Sequence, residues 1–223
     1  MDSAAALSEV EERIARACKI AKRERADVNL IAVSKTHPAG AIEPLLDAGQ
    51  RLFGENRVQE AQDKWPDLRE RFPDVELHLI GQLQSNKAED AAALFDVIHS
   101  LDRPSLLKAL AKAYDKLGRR VPCFIQVDVG EEDQKGGCAI PDLPGLIEQA
   151  RELDIPLLGL MCIPPADKEP APFFALLGEL ARRHEPEPGA WGLSMGMSGD
   201  YETAIMLGAT HIRLGSALFG ARG

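Results

Sequence analysis

Cysteine is scarce and scattered in this sequence, and its scarcity excludes two kinds of structural reinforcement. The four cysteines, Cys18, Cys123, Cys138 and Cys162, lie far apart, and none belongs to a Cys-x-x-Cys pair. Zinc-binding modules and small disulfide-stapled domains depend on closely spaced cysteines. We therefore expect four buried free thiols, no bound metal, and the reducing environment of a cytoplasm.

Long apolar runs and an excess of positive charge are also absent. The N-terminal residues are acidic, without the apolar core of a signal peptide or the run of about 20 apolar residues that spans a bilayer. Lysine and arginine number 26 against 35 aspartates and glutamates, so the formal net charge is −9. So acidic a composition argues against a nucleic-acid binder and against docking on anionic lipid. We expect a cytoplasmic protein.

What the sequence does contain is a regular alternation of short apolar runs and longer helical patterns. The apolar runs predict eight strands, at 28–33, 51–54, 76–80, 95–99, 122–129, 155–160, 190–194 and 210–214. The helical patterns lie at 5–24, 41–48, 58–71, 86–93, 105–117, 143–153, 171–183, 201–207 and 216–219.

Eight strand–helix units in 223 residues predict a single (β/α)8 barrel over residues 1–223, of class α/β, with an extra N-terminal helix. An open doubly wound sheet is the alternative. That fold usually carries a Gly-x-Gly-x-x-Gly fingerprint after its first strand, and the segment SKTHPAG does not match it.

A lysine stands at the end of the first predicted strand, where functional side chains of barrels collect. Side chains alternate along a strand, so Lys35 shares a face with Ile31 and Val33 and is expected to point into the barrel mouth. Arg213, on the neighbouring last strand, is expected at the same mouth. Desolvation and a nearby cation both favour the neutral, nucleophilic form of an amine. A solvated surface lysine is the alternative.

Two loops rich in small residues follow the seventh and eighth strands. They have the sequences SMGMSGDYETA (194–204) and RLGSALFG (213–220). Ser198, Gly199, Gly215 and Ser216 can direct hydroxyl and backbone N–H groups toward an anion at the start of a helix. Phosphate binding by these two loops is frequent in barrels, although such residues also serve simply to form turns.

A nucleophilic lysine beside a phosphate cradle suggests pyridoxal 5′-phosphate (PLP). Lys35 would take the aldehyde as a Schiff base, the loops would hold the phosphate, and Arg213 would face the pyridine nitrogen. Because an arginine stays charged, that nitrogen would remain unprotonated and the ring would be a weak electron sink.

Two other functions stay open at this point. A PLP-dependent racemase-like enzyme acting on amino acids needs a second proton carrier on the opposite face of the ring. The only tyrosines, Tyr114 and Tyr201, are not well placed for it, and the chain as given leaves no room for a further β-domain. A Schiff-base aldolase without a cofactor would need a carboxylate beside the lysine, and Glu55 is the candidate.

Several other polar residues have plain structural interpretations. His78 is expected to be a core histidine that finds a hydrogen-bond partner, whereas His99 could be either structural or functional. Lys135, beside two glycines, could reach over the barrel mouth.

Seven segments resemble those of the pyridoxal-phosphate homeostasis proteins, also called proline synthetase co-transcribed homologues. They are SKTHP, FGENRVQEAQDK, LHLIGQLQSNK, DVGEEDQKGG, GLMCIPP, LSMGMSGDYETAI and HIRLGSALFG. The resemblance covers almost the whole chain. It implies a fold-type III barrel, like the N-terminal domain of alanine racemase standing alone, that carries and regulates PLP without an established enzyme activity.

The resemblance also implies roles for individual residues. Lys35 would form the Schiff base, Asn56 would lie near the ring, Arg213 would lie at the ring nitrogen, and the phosphate would contact Ser198, Gly199, Gly215 and Ser216. Ser194 and Met195, at the end of the seventh strand, are expected to pack around the cofactor. We expect a monomer that acts in PLP homeostasis and delivers PLP to apo-forms of PLP-dependent enzymes.

Overall fold

Eight parallel strands form a closed barrel in chain order in the computed structural model, which describes residues 3–131 and 136–220. β1 pairs with both β2 and β8, so no strand edge is left open between the first and last strands. The (β/α)8 prediction is therefore confirmed. The strands are β1 Asn29–Val33, β2 Leu52–Glu55, β3 Glu76–Leu79, β4 Val97–Leu101, β5 Cys123–Gln126, β6 Leu157–Met161, β7 Gly192–Ser194 and β8 His211–Leu214.

Helices surround the barrel. They are α1 Ser3–Ile20, α2 Ala39–Asp47, α3 Val58–Arg71, α4 Ala88–Leu94, α5 Pro104–Leu117, α6 Leu143–Glu152, α7 Ala171–His184, α8 Tyr201–Met206 and α9 Ser216–Phe219. The extra helix α1 buries the stripe formed by Leu7, Val10 and Ile14 and contacts α8 and α9. It ends earlier than the predicted residue 24 because the chain turns at Lys22, where φ is 56°.

The two faces of β1 have different environments, as the alternation of its side chains predicts. Leu30 and Ala32 pack in the large core between the barrel and the helices. Val33 lines a cavity at the barrel mouth, and Ile31 lies opposite Arg213 in the register with β8. The end of β1 therefore directs the chain, and Lys35 with it, to the mouth.

Two boundaries differ from the sequence prediction because of local pairing. β5 ends at Gln126, since Val127 instead forms a single bridge to Cys138. Helix α4 begins at Ala88, after a short 3₁₀ helix at Ser85–Lys87. Both changes lie in the loops that rim the mouth.

All four cysteines are buried and free, as the sequence predicts. Burial raises the pKa of Cys123, Cys138 and Cys162 to about 12. None of the helices within 3–131 and 136–220 combines the length and the apolar character needed to cross a bilayer. Within the same ranges, no cluster of three or more His, Cys, Asp or Glu side chains is arranged to hold a metal ion.

Candidate functional site

A cavity of about 650 Å³ opens at the C-terminal ends of the strands. This volume lies in the range that small-molecule and cofactor sites occupy. Its lining includes seven residues that the sequence placed at a site, namely Lys35, Asn56, Ser198, Gly199, Arg213, Gly215 and Ser216.

Ser194 and Met195 do not line this cavity. Both are fully buried, and Met195 packs in the core between the barrel and the helices. Ser194 contacts Arg213, and a direct contact of Ser194 with a ligand stays a prediction. A direct contact of Met195 with a ligand stays a prediction. Lys135 lies outside the described residues.

Lys35 stands in a tight turn just beyond β1. The N–H of His37 donates to the carbonyl of Ser34 at 3.1 Å, which closes the turn around Lys35 and Thr36. Thr36 has φ of 66°, a left-handed conformation that is unusual for a β-branched residue. Such a conformation costs about 1–3 kcal/mol, and other contacts have to offset it.

An ion-pair cluster on α3 supplies those contacts. The ammonium of Lys64 donates to the carbonyl of Ser34 at 2.8 Å and to the carbonyl of His37 at 3.0 Å. The carboxylate of Glu60 lies 3.1 Å from the same ammonium, and it also accepts a hydrogen bond from the N–H of Thr36. Both ends and the strained centre of the turn are therefore held by α3.

Glu55, the candidate carboxylate of an aldolase, belongs to this cluster. It is fully buried and does not line the cavity. Its Oε1 accepts from Ser34 Oγ at 2.6 Å and from Trp65 Nε1 at 3.0 Å, and it lies 2.7 Å from Lys64 Nζ. Glu55, the candidate of the aldolase alternative, thus lies on the helix side of the strand and outside the cavity that Lys35 lines, which disfavours that alternative.

Arg213 is the second cation of the cavity, and two hydrogen bonds to buried groups hold its guanidinium in place. Nη1 donates to Ser194 Oγ at 2.6 Å and Nη2 donates to the carbonyl of Cys162 at 2.9 Å. Arg213 is only 4% exposed. Burial lowers the pKa of Arg213, yet a guanidinium remains charged at neutral pH. The site therefore offers a rigid, charged donor and no proton acceptor at this position.

A chain of polar contacts runs from Arg213 down the inside of the barrel. Beyond Ser194, His99 Nδ1 lies 2.8 Å from Ser194 Oγ, and His99 Nε2 lies 2.9 Å from His78 Nδ1. The chain ends at Glu76, whose Oε1 lies 3.2 Å from His78 Nε2. Ser194, His78 and His99 are completely buried, so this is a polar column inside the barrel. His78 is the partnered core histidine that the sequence predicts.

The column has a positive group at one end and a negative group at the other, with a neutral His99 between them. Arg213 can only donate, so Ser194 Oγ accepts from it, and the same hydroxyl forms a second hydrogen bond with His99 Nδ1. At the other end, the contact with His78 lowers the pKa of the Glu76 carboxyl. Burial and neighbouring charge hold the pKa of His99 well below its usual range. The low pKa leaves His99 neutral near pH 7.

The phosphate-type loops meet at one side of the cavity. Ser198 Oγ accepts a hydrogen bond from the N–H of Ala217 at 3.3 Å, which joins the loop after β7 to the first turn of α9. A Cβ on Gly199 would meet no atom within 4 Å, so this backbone is open to a ligand. Because α9 has four residues, its macrodipole is small, so an anion at this place would be held by individual N–H and hydroxyl groups.

Gly81 allows the loop after β3 to pack closely against the backbone of Asn56 at the side of the cavity. A Cβ at Gly81 would be 2.3 Å from the carbonyl oxygen of Asn56 and 2.7 Å from its Cα. Only glycine allows two backbone segments to approach this closely. The loops after β2 and β3 therefore pack as one unit beside the cavity.

Sequence reasoning missed two glutamines of the cavity lining, Gln82 and Gln126. Gln126 Nε2 donates to the carbonyl of Gly136 at 2.8 Å, and Gln82 Nε2 donates to Gln126 Oε1 at 3.4 Å. A usable signal existed, since Gln126 ends β5 and Gln82 follows β3 closely, as expected of residues at the C-terminal ends of barrel strands.

Neither tyrosine lines the cavity. Tyr114 is buried in α5 and donates to the carbonyl of Val121 at 2.7 Å. Tyr201, at the start of α8, is also buried, and Arg13 lies over its ring at 5.3 Å. The structure thus brings no tyrosine hydroxyl to the face of a ligand in the mouth.

Comparison with known proteins places the chain in a family. The alanine racemase N-terminal domain family matches residues 6–223. A pyridoxal phosphate homeostasis protein of Aquifex aeolicus is 40% identical over 228 aligned positions, which cover 100% of this chain and 99% of the relative. Its counterpart in Pseudomonas aeruginosa is 42% identical, with 97% and 94% covered. The chain belongs to the pyridoxal phosphate homeostasis protein family.

Solved structures of this family have the same barrel. PipY of Synechococcus elongatus, solved without PLP, superposes with a TM-score of 0.83 at 40% identity, covering 94% of this chain and 99% of PipY. The PLP-bound form of PipY gives a TM-score of 0.81 at 39% identity, covering 95% and 100%. Alanine racemase of Clostridium difficile, at 16% identity and a TM-score of 0.68 over 56% of its chain, shares the fold.

Proposed function

We propose that this protein binds pyridoxal 5′-phosphate covalently through Lys35 and acts in PLP storage and delivery inside the cell. The observation that carries the proposal is the shared cavity of Lys35, Arg213 and the two small-residue loops. A family relative, PipY, is described with PLP bound, and closely similar relatives are named pyridoxal phosphate homeostasis proteins.

The donor set of the cavity fits this cofactor at each of its ends. Lys35 would hold the aldehyde end of the cofactor covalently. Ser198, Ser216 and the backbone at Gly199 and Gly215 hold the phosphate with neutral donors. When bound, the cofactor supplies an electron-withdrawing ring, and Arg213 sets how strongly that ring withdraws electrons.

The same residues favour a carrier over an amino-acid racemase. Arg213 donates and cannot hold a pyridine nitrogen protonated, so a carbanion next to the imine would be poorly stabilised. Racemisation also needs two opposed proton carriers, and both tyrosines of the chain are buried away from the cavity.

The wider biological setting follows from this proposal. We expect apo-forms of PLP-dependent enzymes to be the recipients, the cytoplasm to be the site of action, and a monomer to be the active form. We also expect residues 1–223 to act as one domain.

The absorption spectrum of the purified protein tests the proposal. We expect a near-visible band after addition of PLP, its loss in Lys35→Ala, and attachment of one cofactor to Lys35 after borohydride reduction and mass spectrometry. Lys116→Ala is the matched control, because Lys116 pairs with Glu89 on the outer helices, with 64% of its side chain exposed. A wild-type protein that gains no band would refute covalent PLP binding.

A further inference from the structure

We propose that Lys64 is a positioning residue that holds the turn carrying Lys35 in the geometry needed for covalent capture of PLP. The inference rests on the proposed function, and it concerns a residue on α3 that does not line the cavity. Lys64 touches the backbone on both sides of Lys35, so it would act through Lys35 and have no contact with the cofactor.

The contacts of Lys64 are directed at the turn. The Lys64 ammonium donates hydrogen bonds to the backbone carbonyls of Ser34 and His37. It also forms ion pairs with the carboxylates of Glu55 and Glu60. The two carbonyls flank Lys35 and Thr36 in the chain. A single ammonium therefore fixes the separation of the two ends of the turn.

Burial strengthens the contacts of Lys64 with the turn, and it also imposes a desolvation penalty on the charges of Lys64 and Glu55. Only 9% of the Lys64 side chain is exposed, and Glu55 is fully buried. A buried ion pair is often no more stabilising than apolar side chains of the same volume. Its presence next to a strained turn therefore favours a role in shape, since hydrogen bonds of charged donors are short and directional.

The turn needs such a clamp because its preferred conformation is different. Thr36 at φ of 66° would relax toward negative φ if its partners were lost. Relaxation would rotate the peptide between Lys35 and Thr36 and redirect the Lys35 side chain. Covalent capture depends on this direction, whereas phosphate binding by the loops after β7 and β8 does not.

This difference gives a test with two ligands. PLP can react with Lys35, whereas pyridoxine 5′-phosphate carries an alcohol in place of the aldehyde and can only bind non-covalently. We expect Lys64→Met to slow the appearance of the PLP absorption band by about tenfold or more, which corresponds to about 1.4 kcal/mol. Affinity for pyridoxine 5′-phosphate should change by less than about twofold, as for sites without shared partners.

Two further variants separate positioning from folding. Lys116→Met makes the same chemical change on the outside of α5, and should leave both ligands unaffected. The double variant Glu55→Gln with Lys64→Met removes both charges of the buried pair, so no unpaired charge is left at Glu55, and the partner that remains charged, Glu60, is 27% exposed. It should capture PLP as slowly as Lys64→Met while its urea unfolding midpoint stays closer to wild type.

The outcomes are distinct. Wild-type protein that captures no PLP contradicts the proposed function. Wild-type protein that captures PLP, with both Lys64 variants equally fast, overturns this inference alone. Equal losses for PLP and pyridoxine 5′-phosphate, or failure of both variants to fold, would show that Lys64 has a general structural role.

Discussion

Arg213 and Glu76 lie at opposite ends of the same polar column. Arg213 is at the C-terminal end of β8, where the cavity opens, and Glu76 is the first residue of β3 on the other side of the barrel. Three buried side chains connect them, those of Ser194, His99 and His78. The donor at the site is thus oriented by hydrogen bonds that extend across the barrel interior.

Removing the hydroxyl of Ser194, which connects Arg213 to His99, should destabilise the protein. In Ser194→Ala, Arg213 Nη1 and His99 Nδ1 both lose their partner, and we expect the free energy of unfolding to fall by about 1–3 kcal/mol. PLP binding should weaken as well, because the guanidinium is no longer fixed. Urea unfolding and PLP titration measure the two effects.

Ser100→Ala is the matched control for Ser194→Ala. Ser100 is also completely buried, in β4, but its hydroxyl has no hydrogen-bond partner among the described residues. Its replacement should leave stability nearly unchanged. Equal destabilisation by the two substitutions would show that the column contributes no more than ordinary packing.

The phosphate cradle predicts a difference between two forms of the vitamin. The combined Ser198→Ala and Ser216→Ala variant should weaken PLP binding far more than binding of unphosphorylated pyridoxal. Each lost hydrogen bond to a charged phosphate is worth about 1.5–3 kcal/mol. Titration of both ligands gives the ratio, with Ser105→Ala on the exposed start of α5 as the control. Similar losses for both ligands would place the phosphate elsewhere.

Delivery and catalysis can be compared in one pair of assays. The loaded protein should restore the activity of an apo-form of a PLP-dependent enzyme. Its own α-proton exchange with several amino acids in deuterated water should stay well below the rate of ordinary enzymes, about 1 s⁻¹. Exchange at or above that rate, without transfer, would favour the racemase-like alternative.

Stability should fall in mild acid because of two histidines. An unfolded histidine takes up a proton near pH 6.5, whereas burial, with the charges of His78 and Arg213, holds the pKa of His99 well below that value. Burial and His78 lower the pKa of His211 to about 3. Between about pH 6.5 and 5, the unfolded state therefore binds protons that the folded state does not, and the free energy of unfolding falls as the pH falls.

The size of this acid effect is measurable. Each histidine contributes up to about 1.4 kcal/mol per pH unit in that window. In urea unfolding at a series of pH values, His211→Gln should flatten the slope by the share of one histidine. A slope that is unchanged in the variant would show that His211 is protonated in the folded protein as readily as in the unfolded chain.

The barrel could be predicted from sequence because each of its strands is a short apolar run bounded by polar residues. The predicted ends of β1 and β8 agree with the structure, and α3 was predicted to its exact residues, 58–71. Among the strands, the least accurate end was that of β5, since Val127 forms an isolated bridge to Cys138, beyond the following loop. Such a contact leaves no periodic pattern in the sequence.

The candidate site was predicted in its position and only partly in its contacts. The alternation of side chains along β1 and β8 was enough to predict that Lys35 and Arg213 lie at the same barrel mouth, and both line the cavity there. The partners of Glu55 were not foreseen, because strand parity does not reveal that Lys64 reaches from α3 to the same carboxylate. The polar column was missed for a similar reason. Its members come from four strands, and each looks by itself like an isolated core residue.

The pairing of β1 with β8 has a consequence for the order of events during synthesis. Lys35 emerges from the ribosome early and Arg213 late, so the lysine has no neighbouring arginine until the last strand joins the first. Domains generally fold as units, and a ligand that binds only the folded form shifts the equilibrium toward it. Bound PLP would therefore contact both the first and the last strand of the barrel, and its uptake by a newly made chain would report that β8 has paired with β1.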